Sequence, residues 1–158
     1  MLKTLSFLFL LILFTNSVQA QIVEESSVNR TELVEYAKTY LGTSYFYGGT
    51  DPSKGFDCSG FVSFVFSHFD IQLPRVSREF KSVGVDIAPE EFKIGDILLF
   101  YGYKDRDRIG HVGIICEADG MNSKFIHSSS GKAHGVTISE LNSKHYSKRF
   151  YKCVRVIP

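Results

Sequence analysis

The chain has almost no net charge. Its 158 residues carry 18 Lys and Arg against 17 Asp and Glu, and no run of like charge interrupts that balance. A near-neutral chain without a basic stripe has no electrostatic footprint for nucleic acid, so no nucleic-acid partner is expected. Cysteine is scarce as well. Cys58, Cys116 and Cys153 are the only three, too few for the small scaffolds that depend on several bridges. Internal repeats, low-complexity tracts and interdomain linkers are missing. After residue 20 no long apolar run remains, so nothing in that part reads as a bilayer-spanning helix.

The one long apolar run stands at the N-terminus. Lys3 precedes it, Leu5 to Phe14 is broken only by Ser6, and Val18-Gln19-Ala20 puts small residues at the −3 and −1 positions of a cleavage site. This is the pattern of a secretory signal over residues 1–20, too short to span a membrane. No cysteine follows the run, so no lipid anchor is expected. The expected product is exported to the periplasm or the exterior, with no membrane partner after cleavage, and monomeric. Removing Lys3 with the signal leaves 17 basic and 17 acidic side chains in Gln21–Pro158. That span suffices for one domain with its own core. Residues 21–30 read as a loose polar arm and 31–158 as the folded domain. An odd cysteine count in an exported chain implies a free thiol. A Cys116–Cys153 bridge is left open, with Cys58 unpaired either way.

The stretch Gly55-Phe56-Asp57-Cys58-Ser59-Gly60-Phe61-Val62 organises the rest. Cys58, Phe61, Val62, Val65 and Phe66 fall at the spacing of one helical face, while Ser59, Ser63 and Ser67 fall on another. The turn-rich Tyr47-Gly48-Gly49-Thr50-Asp51-Pro52 excludes an earlier start. The spacing predicts a helix from Asp57 or Cys58 to about His68. A cysteine there faces unpaired N–H groups and the positive end of the helix dipole, both of which favour thiolate, the nucleophilic form. On that basis Cys58 is expected to be alkylated well below the pH at which an ordinary cysteine reacts. The competing reading is a small buried apolar residue.

An earlier helix should start after Asn29, with Glu32 three residues on, place Leu33, Ala37, Tyr40 and Leu41 on one face, and end at Gly42. Leu73 to Ser77 is extended because Pro74 disfavours helix at Leu73, and a short helix covers 78–83. From there the period changes to two. Strands are predicted at 96–101, 111–118, 124–129, 136–139 and 150–157. Helices followed by strands on short connections give an α+β fold, with helices on an antiparallel sheet of about five or six strands.

His111 opens the strand Gly110-His111-Val112-Gly113-Ile114-Ile115-Cys116. Alternation sets His111, Gly113 and Ile115 on one face, and glycine beside the histidine leaves room there for another element, for which the cysteine helix is the candidate. His127 lies on the next strand. Two histidines facing one helix start form a nucleophile–base–orienter set. Cys58 attacks, His111 takes the thiol proton and returns it to the leaving amine, and His127 holds the other ring nitrogen of His111. A Cys/His/His zinc site is the other reading of the same three residues, but it lacks the close ligand spacing of metal motifs. No metal or cofactor is expected.

These residues, with Gly48-Gly49, Leu73-Pro74-Arg75, Gly95-Asp96-Ile97-Leu98-Leu99-Phe100 and Phe125-Ile126-His127, resemble the NlpC-type cell-wall cysteine peptidases, in that family's chain order, from about Val34 onward. The resemblance implies a papain-like fold, makes 31–158 the catalytic domain, and implies cleavage of amide bonds in peptidoglycan stem peptides, D-glutamyl–diamino acid or D-Ala–diamino acid. It places the nucleophile at Cys58, the base at His111 and the third polar residue at His127. It also puts Tyr47 beside the thiol, either in the oxyanion hole or as cleft packing. Asp57 and Ser59 either touch the substrate amine or organise the helix start. Arg75 either pairs with a stem-peptide carboxylate or forms a salt bridge. A wall-binding module without catalysis, and an amidase or acyltransferase with the same thiol chemistry, including a toxin that attacks a competitor's wall, are the alternatives.

Overall fold

The computed structural model describes residues 28–158. The signal at 1–20 and positions 21–27 of the arm lie outside the described residues. Asn29 caps the first helix, α1 (Arg30–Lys38), accepting the N–H groups of Thr31 and Glu32 on its side-chain oxygen. Its amide donates to the Glu32 carboxylate at 3.3 Å, so the capping box closes between side chains. Leu33, Val34 and Ala37 are buried. The helix stops one turn earlier than its apolar pattern suggests, and Leu41, expected on the buried face, stands 47% exposed in the turn beyond.

A two-residue ribbon, β1 (Thr50–Asp51) with β2 (Gly55–Phe56), leads into α2 (Cys58–Ser67). The extended stretch through Pro74 ends in a 3₁₀ turn at Ser77–Ser82, where the spacing predicted a short helix. The strands are β3 (Val85–Ile87), β4 (Ile97–Tyr101), β5 (Ile109–Glu117), β6 (Lys124–Ser129), β7 (Gly135–Glu140) and β8 (Phe150–Arg155), with the single-turn α3 (Lys144–Ser147) before the last. They form one antiparallel sheet in the order β3-β8-β4-β5-β6-β7. The fold is α+β, as expected. The unexpected edge strand β3 is short and largely exposed, so it leaves no alternation to read.

Alternation along the strands sorts the core into two layers. Ile97, Leu99, Val112, Ile114, Cys116 and Val154 pack with Leu33, Val34, Phe61, Val62, Val65 and Phe66 of the two long helices. Leu98, Phe100, Ile115, Phe125, Leu141 and Cys153 pack on the other face. Each fully buried large side chain contributes about 1.5–3 kcal/mol. Cys116 and Cys153 thus point to opposite faces, and all three cysteines are free.

The buried Asp96 carboxylate ties the first helix to the last strand. It accepts from Arg30 Nη1 at 3.0 Å, from Arg155 Nε at 2.9 Å and Nη2 at 2.8 Å, and from the Lys93 N–H at 2.9 Å. Asp96→Ala strands two part-buried guanidinium groups. The expected loss is about 3–5 kcal/mol of unfolding free energy, measured by urea denaturation; a loss below about 1 kcal/mol means that the arginines find other partners.

Candidate active site

Cys58 opens α2 because Asp57 caps it. The Asp57 backbone is extended and its Oδ1 accepts the Gly60 N–H at 2.7 Å. Its Oδ2 accepts the Gly48 N–H at 3.0 Å, which fastens the preceding loop to the helix start. Gly60 lets that loop in. A Cβ at this position would lie 2.0 Å from the Gly49 carbonyl oxygen. Arg75 forks onto the same carboxylate, at 3.0 Å to Oδ1 and 2.8 Å to Oδ2, and also donates to Ser59 Oγ at 3.2 Å. Asp57, Ser59 and Arg75 therefore bind one another, in the cap and salt bridge weighed above. Only the unused donors of the Arg75 fork remain for a ligand.

His111 and His127 meet. His111 Nε2 lies 2.9 Å from His127 Nδ1, with the rings perpendicular. His127 is fully buried. Its Nε2 lies 2.9 Å from Ser139 Oγ and 3.4 Å from the Tyr146 hydroxyl. With His127 Nε2–H donating to Ser139, its Nδ1 accepts from His111 Nε2–H, and His111 Nδ1 keeps a free lone pair for a proton. The ring nitrogens point at each other and leave no common point for an ion. Among the described residues no group of three His, Cys, Asp or Glu is placed to hold a metal. Burial, followed by the neighbouring His145 and Arg149, pushes His127 down to about 3. Burial and then His127 push His111 well below the ordinary imidazole value. Both rings are neutral at rest.

The route by which sulfur nears the imidazole differs from the one read in the sequence. Gly113 does make room, but for Phe125 and His127: a Cβ there would lie 2.5 Å from the Phe125 ring and 3.0 Å from His127 Cβ. Helix α2 packs instead on the Val112 and Ile114 face, because those are the apolar residues of β5 pointing toward it. The half-buried Cys58 reaches the start of β5 from that side. Among the described residues its side-chain partner is the Gly110 carbonyl, 3.9 Å from Sγ, and not the His111 ring. The Val112 N–H also bears on the sulfur, so it is bracketed by the two chain neighbours of His111. The thiol is not depressed. Burial and then Asp57 push it up to about 11, against the backbone N–H groups of Val112, Ser59 and Cys58. Desolvation of a thiolate outweighs the helix dipole here.

Tyr47 is 87% exposed on the rim of the cleft. The tyrosine near the thiol is Tyr45, half-buried, with its hydroxyl pushed up by burial and then by Cys58 and Asp57. Tyr45 bridges to Phe56, two residues before the cysteine; two tyrosines at i and i+2 in a loop cannot be ranked without that register. Ser139, Tyr146 and Arg149 were also missed, because strand and turn residues of these types are common and carry no motif. On the His111 side an open cleft of about 1330 Å³ is lined by Gly110, His111, Ser139, Tyr146 and Arg149, among others.

The chain is similar to known proteins in sequence and in fold. A family model described as the NlpC/P60 family matches residues 42–155. The chain is 35% identical over 131 residues to the gamma-DL-glutamyl hydrolase of Bacillus subtilis, covering 82% of this chain and 30% of that protein. It is 33% identical over 151 residues to the murein DD-endopeptidase MepS/murein LD-carboxypeptidase of Escherichia coli, covering 90% of this chain and 74% of that one. The chain thus spans under a third of the first relative and about three quarters of the second. The crystal structure of an NlpC/P60 family protein from Bacillus cereus superposes with a TM-score of 0.73 at 27% identity, over 84% of this chain and 41% of that one.

With the thiol pushed up to about 11, alkylation of Cys58 by iodoacetamide should be slow at pH 7. It should rise only above the ordinary cysteine value of about 8.5, read by mass spectrometry across pH 6–10 on the folded protein. A midpoint below that value means that the free enzyme already holds a thiolate–imidazolium pair.

Proposed function

The chain belongs to the NlpC/P60 family, and from that premise we propose that it is an exported thiol peptidase that hydrolyses amide bonds in the stem peptides of peptidoglycan. The observation that carries this reading is the His111–His127 pair at 2.9 Å, next to a half-buried cysteine at a helix start. Export rests on the charge and hydropathy of residues 1–20, and the substrate class on the activities named for the relatives.

In the proposed reaction, closure of the substrate over the cleft brings His111 Nδ1 within reach of Cys58 Sγ. Hydrogen bonds that are long in a free enzyme commonly tighten on binding. As sulfur attacks the scissile carbonyl, its proton passes to His111 in the same step, which suits a thiol and an imidazole that both start neutral. The N–H groups at the start of α2, with the Tyr45 hydroxyl, face the developing oxyanion. His111 then protonates the leaving amine, and water attacking the thioester regenerates the thiol. Being neutral, His127 works as a dipole that fixes the tautomer of His111, with Ser139 behind it.

The bond is either D-glutamyl–diamino acid or D-Ala–diamino acid, and product masses from defined muropeptides separate the two. A second reading, a wall-binding module, draws on one observation: the sulfur pairs with Gly110 O and not with His111.

Cys58→Ala should stay folded, bind sacculi and release no muropeptide fragments, scored by chromatography and mass spectrometry. Release by the variant at the wild-type rate would sink the peptidase reading, and a wild-type protein that binds without release would favour the module. His127→Ala should lower kcat/KM by about a hundredfold or more. His127→Asn, whose amide oxygen still accepts from His111 Nε2–H, should recover part of that loss; equal losses would mean that His127 acts by charge and not by orientation.

A further inference from the structure

Arg149 is the one buried arginine among the described residues. It is 8% exposed, and no carboxylate among the described residues pairs with it. Arg30, Arg75, Arg108 and Arg155 each have an aspartate. A buried cation without a counter-ion is costly, and proteins pair it or use it. Its Nε donates to the Tyr101 carbonyl at 2.9 Å, and its Nη1 to His145 Nε2 at 2.7 Å. Both acceptors are neutral: burial and then Arg149 itself hold His145 below the ordinary imidazole value. They aim the guanidinium without cancelling its charge. Nη2 donates to no described residue, and Arg149 lines the same cleft as His111. Lys104 and Lys132 line it too, while no Asp or Glu does. In a chain whose total charge is near zero, this wall concentrates one sign.

We propose that Arg149, aimed by Tyr101 and His145 and supported by Lys104 and Lys132, forms a subsite for a free carboxylate on the leaving fragment of the substrate. The inference deepens the peptidase reading and rests on it. His111 hands its proton to the leaving amine, so the leaving fragment lies on the His111 side, where this wall is. Either candidate bond releases a diamino acid, and a diamino dicarboxylic acid presents such a group. A planar fork suits bidentate binding of a carboxylate. A bound carboxylate also offsets the Arg149 charge, which adds to burial and the neighbouring histidines in holding His111 and His127 low, so the base gains strength once the correct fragment is seated.

The test uses two synthetic stem tripeptides ending in diaminopimelate, one with its side-chain carboxylate free and one with that group amidated. Their affinities are measured calorimetrically on the full chain carrying Cys58→Ala, which removes turnover. The acid form should bind at least tenfold tighter than the amide. Adding Arg149→Gln should bring the ratio near one by weakening the acid form alone. Adding Arg149→Lys, which keeps the charge and the buried volume but not the fork, should cut the ratio several-fold, and it carries the test if Arg149→Gln loses its cooperative melt. Equal affinity for both peptides, no binding of either, or an unchanged ratio in a folded Arg149 variant overturns the subsite. If the wild type cleaves both peptides at one rate, the subsite alone falls. If the acid form is preferred but the wild type cleaves neither these tripeptides nor a D-Ala–diaminopimelate cross-linked dimer, the subsite stands and the peptidase reading falls.

Discussion

One carboxylate holds the site in shape. Asp57 caps α2, accepts the Gly48 N–H from the loop before it, and takes both arms of Arg75 from the segment after it. Three successive stretches between residues 48 and 75 share one small anion. The geometry is economical, because a helix start needs an acceptor, a glycine loop has donors to spare, and an aspartate offers lone pairs to all of them. The contact of Gly49 with Gly60 follows from it: only with no Cβ at Gly60 can the loop come close enough for Asp57 to hold it. Position, and not charge, is what Cys58 receives from this arrangement, since the same carboxylate opposes the thiolate.

That opposition shapes the chemistry. Sulfur and imidazole both lie where water is scarce, so an ionised pair at rest would give up hydration that the cleft replaces poorly. In the proposed reaction a neutral pair forgoes a preformed nucleophile and moves the proton during attack. The relay behind it is neutral throughout, from His111 through His127 to Ser139. Such a chain fixes direction by hydrogen-bond polarity, and it offers the imidazolium formed during turnover a dipole in place of a counter-charge.

Much of this was legible in the sequence. The period-two runs located five of the six main strands, and the helical spacing after Asp57 located α2 to within a residue. The meeting of His111 with His127 was legible from the residue types and their elements, whereas the pairing of the Cys58 sulfur with Gly110 O was not. What failed was what depends on neighbours. Leu41 matches the apolar period of α1, yet the chain turns before it. β3 is too short and too exposed for periodicity. The alternation of β5 was read correctly, but which face meets α2 is decided by the apolar residues of the whole sheet and not by the small residue beside His111. Tyr45 and Tyr47 differ only by register in a loop. The sign of the thiol shift was missed because a helix start can be recognised in sequence, whereas the desolvation of a single sulfur depends on packing.

The three free sulfurs are not equal before an oxidant. Cys116 and Cys153 are buried on opposite faces of the sheet, out of reach of each other and nearly out of reach of solvent. Peroxide diffusing in from outside meets Cys58. Sulfenic acid formation requires thiolate, so the burial that keeps this sulfur protonated at rest also slows its damage. Should it be oxidised, no neighbouring thiol stands ready to resolve it. Repair then depends on a small external reductant, and the redox history of the compartment is written onto a single atom.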